Sequence, residues 1–321
     1  MNLAAHPRKA GCLLLLASLA ISPPALSASW KERVLYSFQG GLTDGSTPAG
    51  GVMFDKAGNL YGATTGGGPD SCAPIVNECG LVFELSPPAK SGDPWTETLI
   101  YQFKGKGFND ASAPAGGVLV DAGGNVYGTT AYGGSGDCVL LGTKAGCGTV
   151  FELSPPAQKG GAWTETILYS FKSGKDGYFP QGDLTFDAKG NLYGATLFGG
   201  GKGTTCNPYY QYCGTVFELS PPKTKGSKWT ERVLHSFAGG TDGATPNGGL
   251  VLDGEGAVYG TTSSGGIQNQ RQDSLWLGSA QRSHWGQRCA CAADRLRLRD
   301  DSEQADHHWQ DERARWNCRR A

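Results

Sequence analysis

Eight aspartates recur at fixed spacing and are the residues of this chain whose type and repetition could support chemistry. Both series advance by 66 residues and comprise Asp44, Asp110, Asp176 and Asp242, and then Asp55, Asp121, Asp187 and Asp253. Repeated carboxylates could bind calcium or act as paired acid and base. An aspartate beside glycine or proline also forms tight turns, because its side chain accepts hydrogen bonds from the local backbone. The turn interpretation is favoured, since each aspartate recurs with its turn.

Other catalytic residue types are scarce in the repeated part of the chain. His235 is the only histidine in residues 30–266, and it takes the place of a tyrosine in the other copies. A packing role is therefore expected for it, and acid–base catalysis by histidine is poorly supported. Alternation along a predicted strand places one glutamate per copy on the solvent side. These strand glutamates are Glu84, Glu152 and Glu218.

The aspartates lie in a repeat unit with four predicted strands. Residues 187–194 (Asp-Ala-Lys-Gly-Asn-Leu-Tyr-Gly) read as a tight turn between two alternating strands. A Gly-Thr-Val-Phe-Glu-Leu-Ser-Pro-Pro segment predicts a third strand that ends at the proline pair, and a Trp-to-Phe segment predicts a fourth. One small four-stranded sheet cannot bury both of its faces, so neighbouring units must stack. The predicted fold is all-β, a β-propeller-like array of four-stranded repeats that is incomplete and open.

These motifs, in this order, resemble the Gloeobacter/Verrucomicrobia (GloVer) tandem repeat of choice-of-anchor bacterial surface proteins. The resemblance covers about residues 30–266 and rests on several recurring motifs. It implies an exported, extracellular protein that is built from repeats and rich in β-structure. It supplies no catalytic residues, and no anchor motif of the kind frequent in that family is recognisable in this sequence.

Residues 1–29 have the layout of a secretory signal peptide. Arg8 and Lys9 precede an apolar run at 13–21, and small residues follow at 25–28. The run is too short to span a bilayer, so a secreted or cell-surface location without a transmembrane span is expected. Paired cysteines in the loops of three copies agree with export, and a disulfide is favoured over a metal site because no histidine accompanies them. The predicted disulfides are Cys72–Cys79, Cys138–Cys147 and Cys206–Cys213.

The variable loops are the expected contact surface. Tyr209, Tyr210 and Tyr212 lie in the third cysteine loop and are the candidate ligand contacts. The tryptophan that opens each fourth strand is interpreted as a packing residue rather than a sugar platform. A net charge of −1 argues against nucleic acid as a partner. No cofactor and no metal are expected.

The chain changes character after residue 266. Ten of its 13 arginines, and none of its lysines, lie in residues 267–321. A frameshift accounts for the loss of the repeat motif, and a basic disordered tail is the alternative. The predicted domains are therefore a signal peptide (1–29), three full repeats with a partial fourth (30–266) and an aberrant arginine-rich tail (267–321).

The favoured function is that of a surface or extracellular binding module, with a glycan, a peptide or a protein as its ligand. Two alternatives remain open: a propeller-based glycan lyase or hydrolase that uses the repeated aspartates, and a truncated product without function. Clustered aspartates with raised pKa values would favour the enzyme. Dispersed aspartates that are bound in turns would favour the binding module.

Overall fold

The computed structural model describes residues 32–68, 79–105, 110–201, 213–224 and 226–266, and the backbone of residues 274–279. Within these ranges the chain forms β-strands, and its only helices are two single-turn 3-10 helices at Gly174–Asp176 and Gly240–Asp242. None of the helices in this part of the chain is long and apolar enough to cross a membrane. The all-β prediction is confirmed.

The strands form four small antiparallel sheets in chain order. The first sheet contains β1 (Gly45–Phe54), β2 (Leu60–Gly67), β3 (Leu81–Ser86) and β4 (Thr96–Gln102). The third contains β12 (Tyr178–Phe186), β13 (Leu192–Phe198), β14 (Thr215–Ser220) and β15 (Thr230–Ser236). Each strand pairs with the next, so the connections alternate between two ends of the sheet. The aspartate turns and Pro-Pro connections share one end, and the cysteine loops occupy the other.

The second and fourth sheets have the same plan, but their innermost strand is broken in two. The second contains β5 (Ala111–Pro114), β6 (Leu119–Val120), β7 (Val126–Gly133), β10 (Thr149–Ser154) and β11 (Thr164–Ser170), with a small hairpin of β8 (Val139–Leu140) and β9 (Thr143–Lys144) in its cysteine loop. The fourth contains β16 (Ala244–Pro246), β17 (Val251–Leu252), β18 (Ala257–Ser264) and β19 (Ser274–Ser279).

The Tyr-Gly pair of the repeat has a direct structural reason. Gly128 lies opposite Phe151 on the neighbouring strand. A Cβ atom at Gly128 would lie 2.6 Å from Cζ of Phe151, so only glycine leaves room for the ring. The same pairing joins Gly62 to Phe83 and Gly194 to Phe217. This recurring contact explains why the two motifs are repeated together.

The sheets stack face to face as the blades of a β-propeller, which confirms the predicted fold class. In the core between the first two blades, Tyr61 and Val82 of one blade pack with Val118 and Phe151 of the next. The phenylalanine that follows the fourth strand in each of the first two blades packs edge-on against the central phenylalanine of the next blade. These ring pairs, at centroid distances of 5.1 and 5.2 Å, are Phe103–Phe151 and Phe171–Phe217. Aromatic burial and sheet stacking together therefore hold neighbouring blades in contact.

Glycine pairs at the centre let the four innermost strands approach one another. A Cβ atom at Gly116 would lie 2.3 Å from the carbonyl oxygen of Gly182, and one at Gly182 would lie 2.6 Å from that of Gly248. Asp183 stands where the other copies have the second glycine. Its Oδ1 accepts a 2.5 Å hydrogen bond from the amide of Gly117. Glycine is therefore required for steric reasons at Gly116 and Gly182, whereas the second position of the pair accommodates the side chain of Asp183.

Part of the predicted tail contributes a strand. The backbone of Ser274–Ser279 pairs with β18, and Trp276 lies opposite Gly260 in the register that Phe83 and Gly62 have in the first blade. The proposed signal peptide and residues 280–321 lie outside the described residues. The boundaries given for the signal, repeat and tail segments remain predictions.

Candidate functional site

The aspartates of the second series are locked into their turns. Asp187 accepts hydrogen bonds through Oδ1 from the amides of Lys189 (2.8 Å) and Asn191 (2.9 Å), and through Oδ2 from the Asn191 side chain (2.7 Å) and the Tyr193 hydroxyl (3.2 Å). Asp121 has the same four interactions in the second blade. Burial acts to raise the pKa of both carboxyl groups, but these hydrogen bonds outweigh it and lower each pKa below its usual value. Both side chains are therefore ionised and already saturated with donors.

The aspartates of the first series anchor the connections between blades. Asp110 is buried and accepts hydrogen bonds from the amides of Lys104 (2.9 Å) and Ala111 (2.6 Å) and from the hydroxyl of Tyr101 (3.2 Å). Asp176 accepts from the Lys172 amide and the Tyr169 hydroxyl in the same way. These contacts disperse the aspartates around the array and tie each one to its own turn.

Three glutamates that the sequence analysis did not single out lie beside these aspartates. Burial, followed by the nearby charge of Asp176, raises the pKa of Glu231 to about 7. Burial and Asp110 likewise raise the pKa of Glu165 well above its ordinary value. The Oε1 atom of each of the three glutamates is buried and has no hydrogen-bond partner. The three residues are Glu97, Glu165 and Glu231. A carboxyl group in this position is more stable when it carries its proton.

A groove of about 460 Å³ lies between the second and third blades, at the end of the array that carries the aspartate turns. Three of its side chains are aromatic, and two are the ionised aspartates of neighbouring turns. The lining residues are Asp121, Tyr127, Phe186, Asp187, Ala188, Gly190, Pro221 and Trp229. The groove therefore combines aromatic surface with two negative charges.

Packing of the blades builds the aromatic side of this groove. Phe186 ends the innermost strand of the third blade and packs edge-on against Tyr127 of the second, with 5.1 Å between ring centroids. Trp229 directly precedes the fourth strand of the third blade and is partly buried against the same core. Trp163 packs in the equivalent way at the junction of the first and second blades, and Trp95 packs against the core residues of the first blade, as the packing interpretation expected. The first and second blades have Phe54 and Val120 at the position of Phe186, and Phe54 packs on no preceding blade.

A second aromatic cluster lies at the opposite end of the same junction. The ring of Phe179 lies 5.1 Å from Tyr132 and Tyr178 and 5.8 Å from Phe198. Phe179 also donates its amide to the carbonyl of Cys147, which places the cluster beside the second cysteine loop. The other copies have a small residue at the position of Tyr178. The large tyrosine in this copy is therefore the feature of the sequence that could have indicated the cluster. The predicted contacts Tyr209, Tyr210 and Tyr212 lie outside the described residues.

Two further residue predictions have different outcomes. His235 packs edge-on against Phe237 and lies 3.2 Å from both carboxylate oxygens of Asp242, in the position that tyrosine has at the other junctions. The expectation that the strand glutamates face solvent is wrong for Glu218. Glu218 is 7% exposed and forms an ion pair with Arg232 on the neighbouring strand. A cross-strand cation makes this burial possible.

The disulfide predicted for the second cysteine loop is present. Cys138 and Cys147 are joined with a Cα–Cα distance of 5.0 Å, and Cys147 is fully buried. Cys79 and Cys213 are also disulfide-bonded, while the predicted partners Cys72 and Cys206 lie outside the described residues. The bond closes the loop that begins at the end of β7 and carries the β8–β9 hairpin.

Removing this disulfide should destabilise the protein. Replacing both Cys138 and Cys147 with serine is expected to lower the free energy of unfolding by about 2–3 kcal/mol, because the short loop gains entropy in the unfolded chain. Urea unfolding of the double variant and of the parent, both without reductant, measures the difference. An unchanged midpoint at an unchanged slope would contradict the expectation.

Comparisons with known proteins agree with the repeat architecture. The sequence profile of the Gloeobacter/Verrucomicrobia repeat matches residues 26–272. No curated protein sequence matches the chain. A structural-genomics target provisionally assigned as a gluconolactonase aligns at 14% identity with a TM-score of 0.36, over 70% of this chain and 61% of its own, so the chain spans less than two thirds of that protein.

Two further solved structures align at similar levels. An α-L-arabinofuranosidase from Clostridium thermocellum has 13% identity and a TM-score of 0.35, over 74% of this chain and 72% of its own. The PQQ-bound aldose sugar dehydrogenase from Streptomyces coelicolor has 10% identity and a TM-score of 0.32, over 73% of this chain and 83% of its own. The profile match covers most of the chain, from the first blade through β18 of the fourth, and on that ground this protein belongs to the Gloeobacter/Verrucomicrobia repeat family.

Proposed function

We propose that this protein is an exported binding module and that the groove between the second and third blades binds a basic segment of a partner peptide or protein. One observation carries the proposal: three aromatic side chains and two ionised aspartates, Asp121 and Asp187, line the same groove. Aromatic faces attract organic cations, and fixed negative charge adds to that attraction. A lysine or arginine side chain of the partner fits this combination.

The same geometry supports binding over catalysis. The lowered pKa values of Asp121 and Asp187 keep both groups ionised, so neither can supply a proton as a general acid. Each carboxylate also accepts four hydrogen bonds from its own blade, so it acts on a ligand through its negative charge and is poorly placed to take up a proton as a general base. Glu165 and Glu231, whose pKa values are raised, are not among the residues that line the groove. Among the described residues, the turn aspartates and these two glutamates therefore favour the binding module over the glycan-active alternative.

Export is the second part of the proposal. The signal-like residues 1–29 would direct the chain out of the cytoplasm. A disulfide that closes a surface loop is typical of proteins that fold in an oxidising compartment. A fusion of residues 1–29 to a periplasmic reporter should export the reporter, and retention of the reporter in the cytoplasm would contradict this part.

Filling the groove is the direct test of the binding proposal. Ala188 is exposed at the groove wall, and Lys56 occupies the equivalent turn position in the first blade, so Ala188→Lys should fold normally. Binding of a fluorescent arginine-containing peptide is measured by anisotropy. The variant is expected to weaken binding by at least about tenfold, because the new lysine competes for the two carboxylates. Added salt should weaken binding to the parent protein as well.

Two comparisons make this test specific. Ala57→Lys places the same charge on an exposed turn of the first blade and should leave peptide binding unchanged. A peptide in which glutamate replaces arginine should not bind the parent protein. Equal binding of both peptides, or equal loss in both lysine variants, would overturn the proposed site. Binding of a neutral oligosaccharide in place of the basic peptide would favour the glycan alternative.

A further inference from the structure

One face of the first blade and one face of the fourth blade are exposed, whereas the matching faces of the other blades are buried against a neighbouring blade. Val52 is 55% exposed, whereas the residues at the same position of the later blades, Val118, Leu184 and Leu250, are 5%, 3% and 7% exposed. Phe54, at the end of the same strand, is also exposed. We call the surface of the first blade around Val52 and Phe54 the back face. It is the side that each later blade turns toward the blade before it.

The opposite face of the fourth blade is uncovered in the same way. Thr261 is exposed, whereas Ala63, Thr129 and Ala195 at the equivalent position are buried. Tyr259 is also more exposed than the tyrosine of each preceding blade, which is buried against its successor. We call the surface of the fourth blade around Tyr259 and Thr261 the front face. It is the side that each earlier blade turns toward the blade after it.

These two faces are the halves of an interface that the chain already makes three times. Front-face residues Tyr61, Tyr127 and Tyr193 share a core with back-face residues Val118, Leu184 and Leu250, respectively. The first two junctions also place the phenylalanine that follows the fourth strand of one blade against the central phenylalanine of the next. The exposed front face of the fourth blade therefore matches the exposed back face of the first blade. Two front faces, or two back faces, would not match each other.

The N-terminal segment strengthens this match. Phe38 packs against Phe83 at 4.9 Å between ring centroids, in the way that Phe103 packs against Phe151. Residues 35–38 thus stand on the back face where the last strand of a preceding blade would stand. The fourth blade, within the described residues, ends with its third strand, β19. Residues 35–38, on the back face, could serve as a fourth strand. The sheet of the fourth blade has three strand positions filled, and a fourth strand could pair with β19.

Within the residues that the structure describes, the fourth blade does not pack against the first. A Cβ atom at Gly50 would meet the amide nitrogen of Gly117, and Gly116 and Gly182 meet the next blade in the same way. A Cβ atom at Gly248 would have only one neighbour within 4 Å, the hydroxyl of Thr261 in its own blade. The described part of the chain shows extensive packing between the first and second, second and third, and third and fourth blades, and none comparable between the fourth and the first.

We infer that the front face of the fourth blade of one copy docks on the back face of the first blade of a second copy. The contact would repeat the interface between successive blades, with Val52 of one copy against Tyr259 and Thr261 of the other. Such an interface joins two different surfaces, so each copy keeps one free face and the association continues head to tail. Sedimentation velocity over a wide concentration range is then expected to show mass increasing from one copy to two and beyond.

Single-face variants test the inference. Val52→Asp on the back face and Thr261→Arg on the front face each place a charge where the interface would bury it, so each variant alone should remain a single copy at every concentration. Both positions are exposed in one copy, so both variants should keep the parent's melting temperature. Val139→Asp, at an exposed position in the second cysteine loop, is the control and should associate like the parent.

Mixing the two variants gives the decisive result. The Val52→Asp chain keeps an intact front face, and the Thr261→Arg chain keeps an intact back face. An equimolar mixture should therefore form pairs and nothing larger. A parent protein that stays a single copy throughout, or a mixture that behaves like its separate components, would overturn the inference. Phe54→Ser serves as a second back-face variant if Val52→Asp does not fold.

Discussion

Replacing Phe151 with alanine should lower the free energy of unfolding by about 3–5 kcal/mol, the largest single effect expected from a core substitution in this chain. Phe151 is fully buried at the centre of the second blade. Its ring packs against Phe103 of the first blade and fills the space above Gly128. The glycine has no side chain that could move into the cavity, so the site cannot collapse around the smaller residue.

The same substitution at an exposed phenylalanine shows how much of the destabilisation is due to the burial of Phe151. Phe54→Ala removes the same atoms from a ring that is 63% exposed, so its effect should stay within about 0.5 kcal/mol. Urea unfolding of both variants at low protein concentration, where self-association is minimal, gives the two differences. Similar losses in the two variants would show that Phe151 does not have the role in inter-blade packing described above.

The repeat period was sufficient to predict the architecture. The fixed distance between turn aspartate and tyrosine reflects a hydrogen bond that joins them, as in Asp187 and Tyr193. The pairing of the Tyr-Gly and Val-Phe motifs reflects the contact of Gly194 with Phe217. Both contacts lie within one blade. The glycine–phenylalanine contact recurs in all three complete blades. The aspartate–tyrosine bond recurs in the second and third, whereas Tyr61 of the first blade donates to Glu84. Contacts between residues close in the chain, or on adjacent strands, fix the spacing of those residues in the sequence, so they can be predicted from it.

Contacts between blades were much harder to predict. The Tyr101 hydroxyl lies 3.5 Å from Glu165, although the two residues are 64 positions apart in the chain. The sequence analysis considered raised pKa values only for the aspartates, as a sign of the enzyme alternative. The raised values belong to the neighbouring glutamates Glu165 and Glu231. The groove was missed for the same reason. It depends on Phe186 of one blade meeting Tyr127 of another, which no spacing within a repeat shows.

The buried glutamates should make the protein less stable as the pH rises. Burial raises the folded-state pKa of Glu231 to about 7, and it raises that of Glu165 well above the unfolded value. A carboxyl group with a raised folded-state pKa stabilises the fold fully below its unfolded pKa of about 4.5, and this stabilisation is lost as the pH rises through the folded-state value. The melting temperature is therefore expected to fall between about pH 5 and pH 8.

Glutamine at positions 165 and 231 should remove most of this pH dependence. An uncharged amide has nearly the shape of the protonated acid and cannot ionise, so the double variant should melt above the parent at mildly alkaline pH. Glu255→Gln, on an exposed turn, is the control and should follow the parent at every pH. A double variant that loses stability with pH as steeply as the parent would contradict the assignment.

Two other groups set the acidic side of the profile and act in the opposite direction. The lowered pKa values of Asp121 and Asp187 stabilise the fold above their unfolded pKa of about 3.8, and this contribution is lost as the pH falls further. Burial also lowers the pKa of His235, so the fold resists its protonation below about pH 6.5. There is one such histidine, whereas three partly buried glutamates, Glu97, Glu165 and Glu231, have raised pKa values. The glutamates should therefore outweigh the histidine and place maximal stability at mildly acidic pH, above the range in which the turn aspartates become protonated.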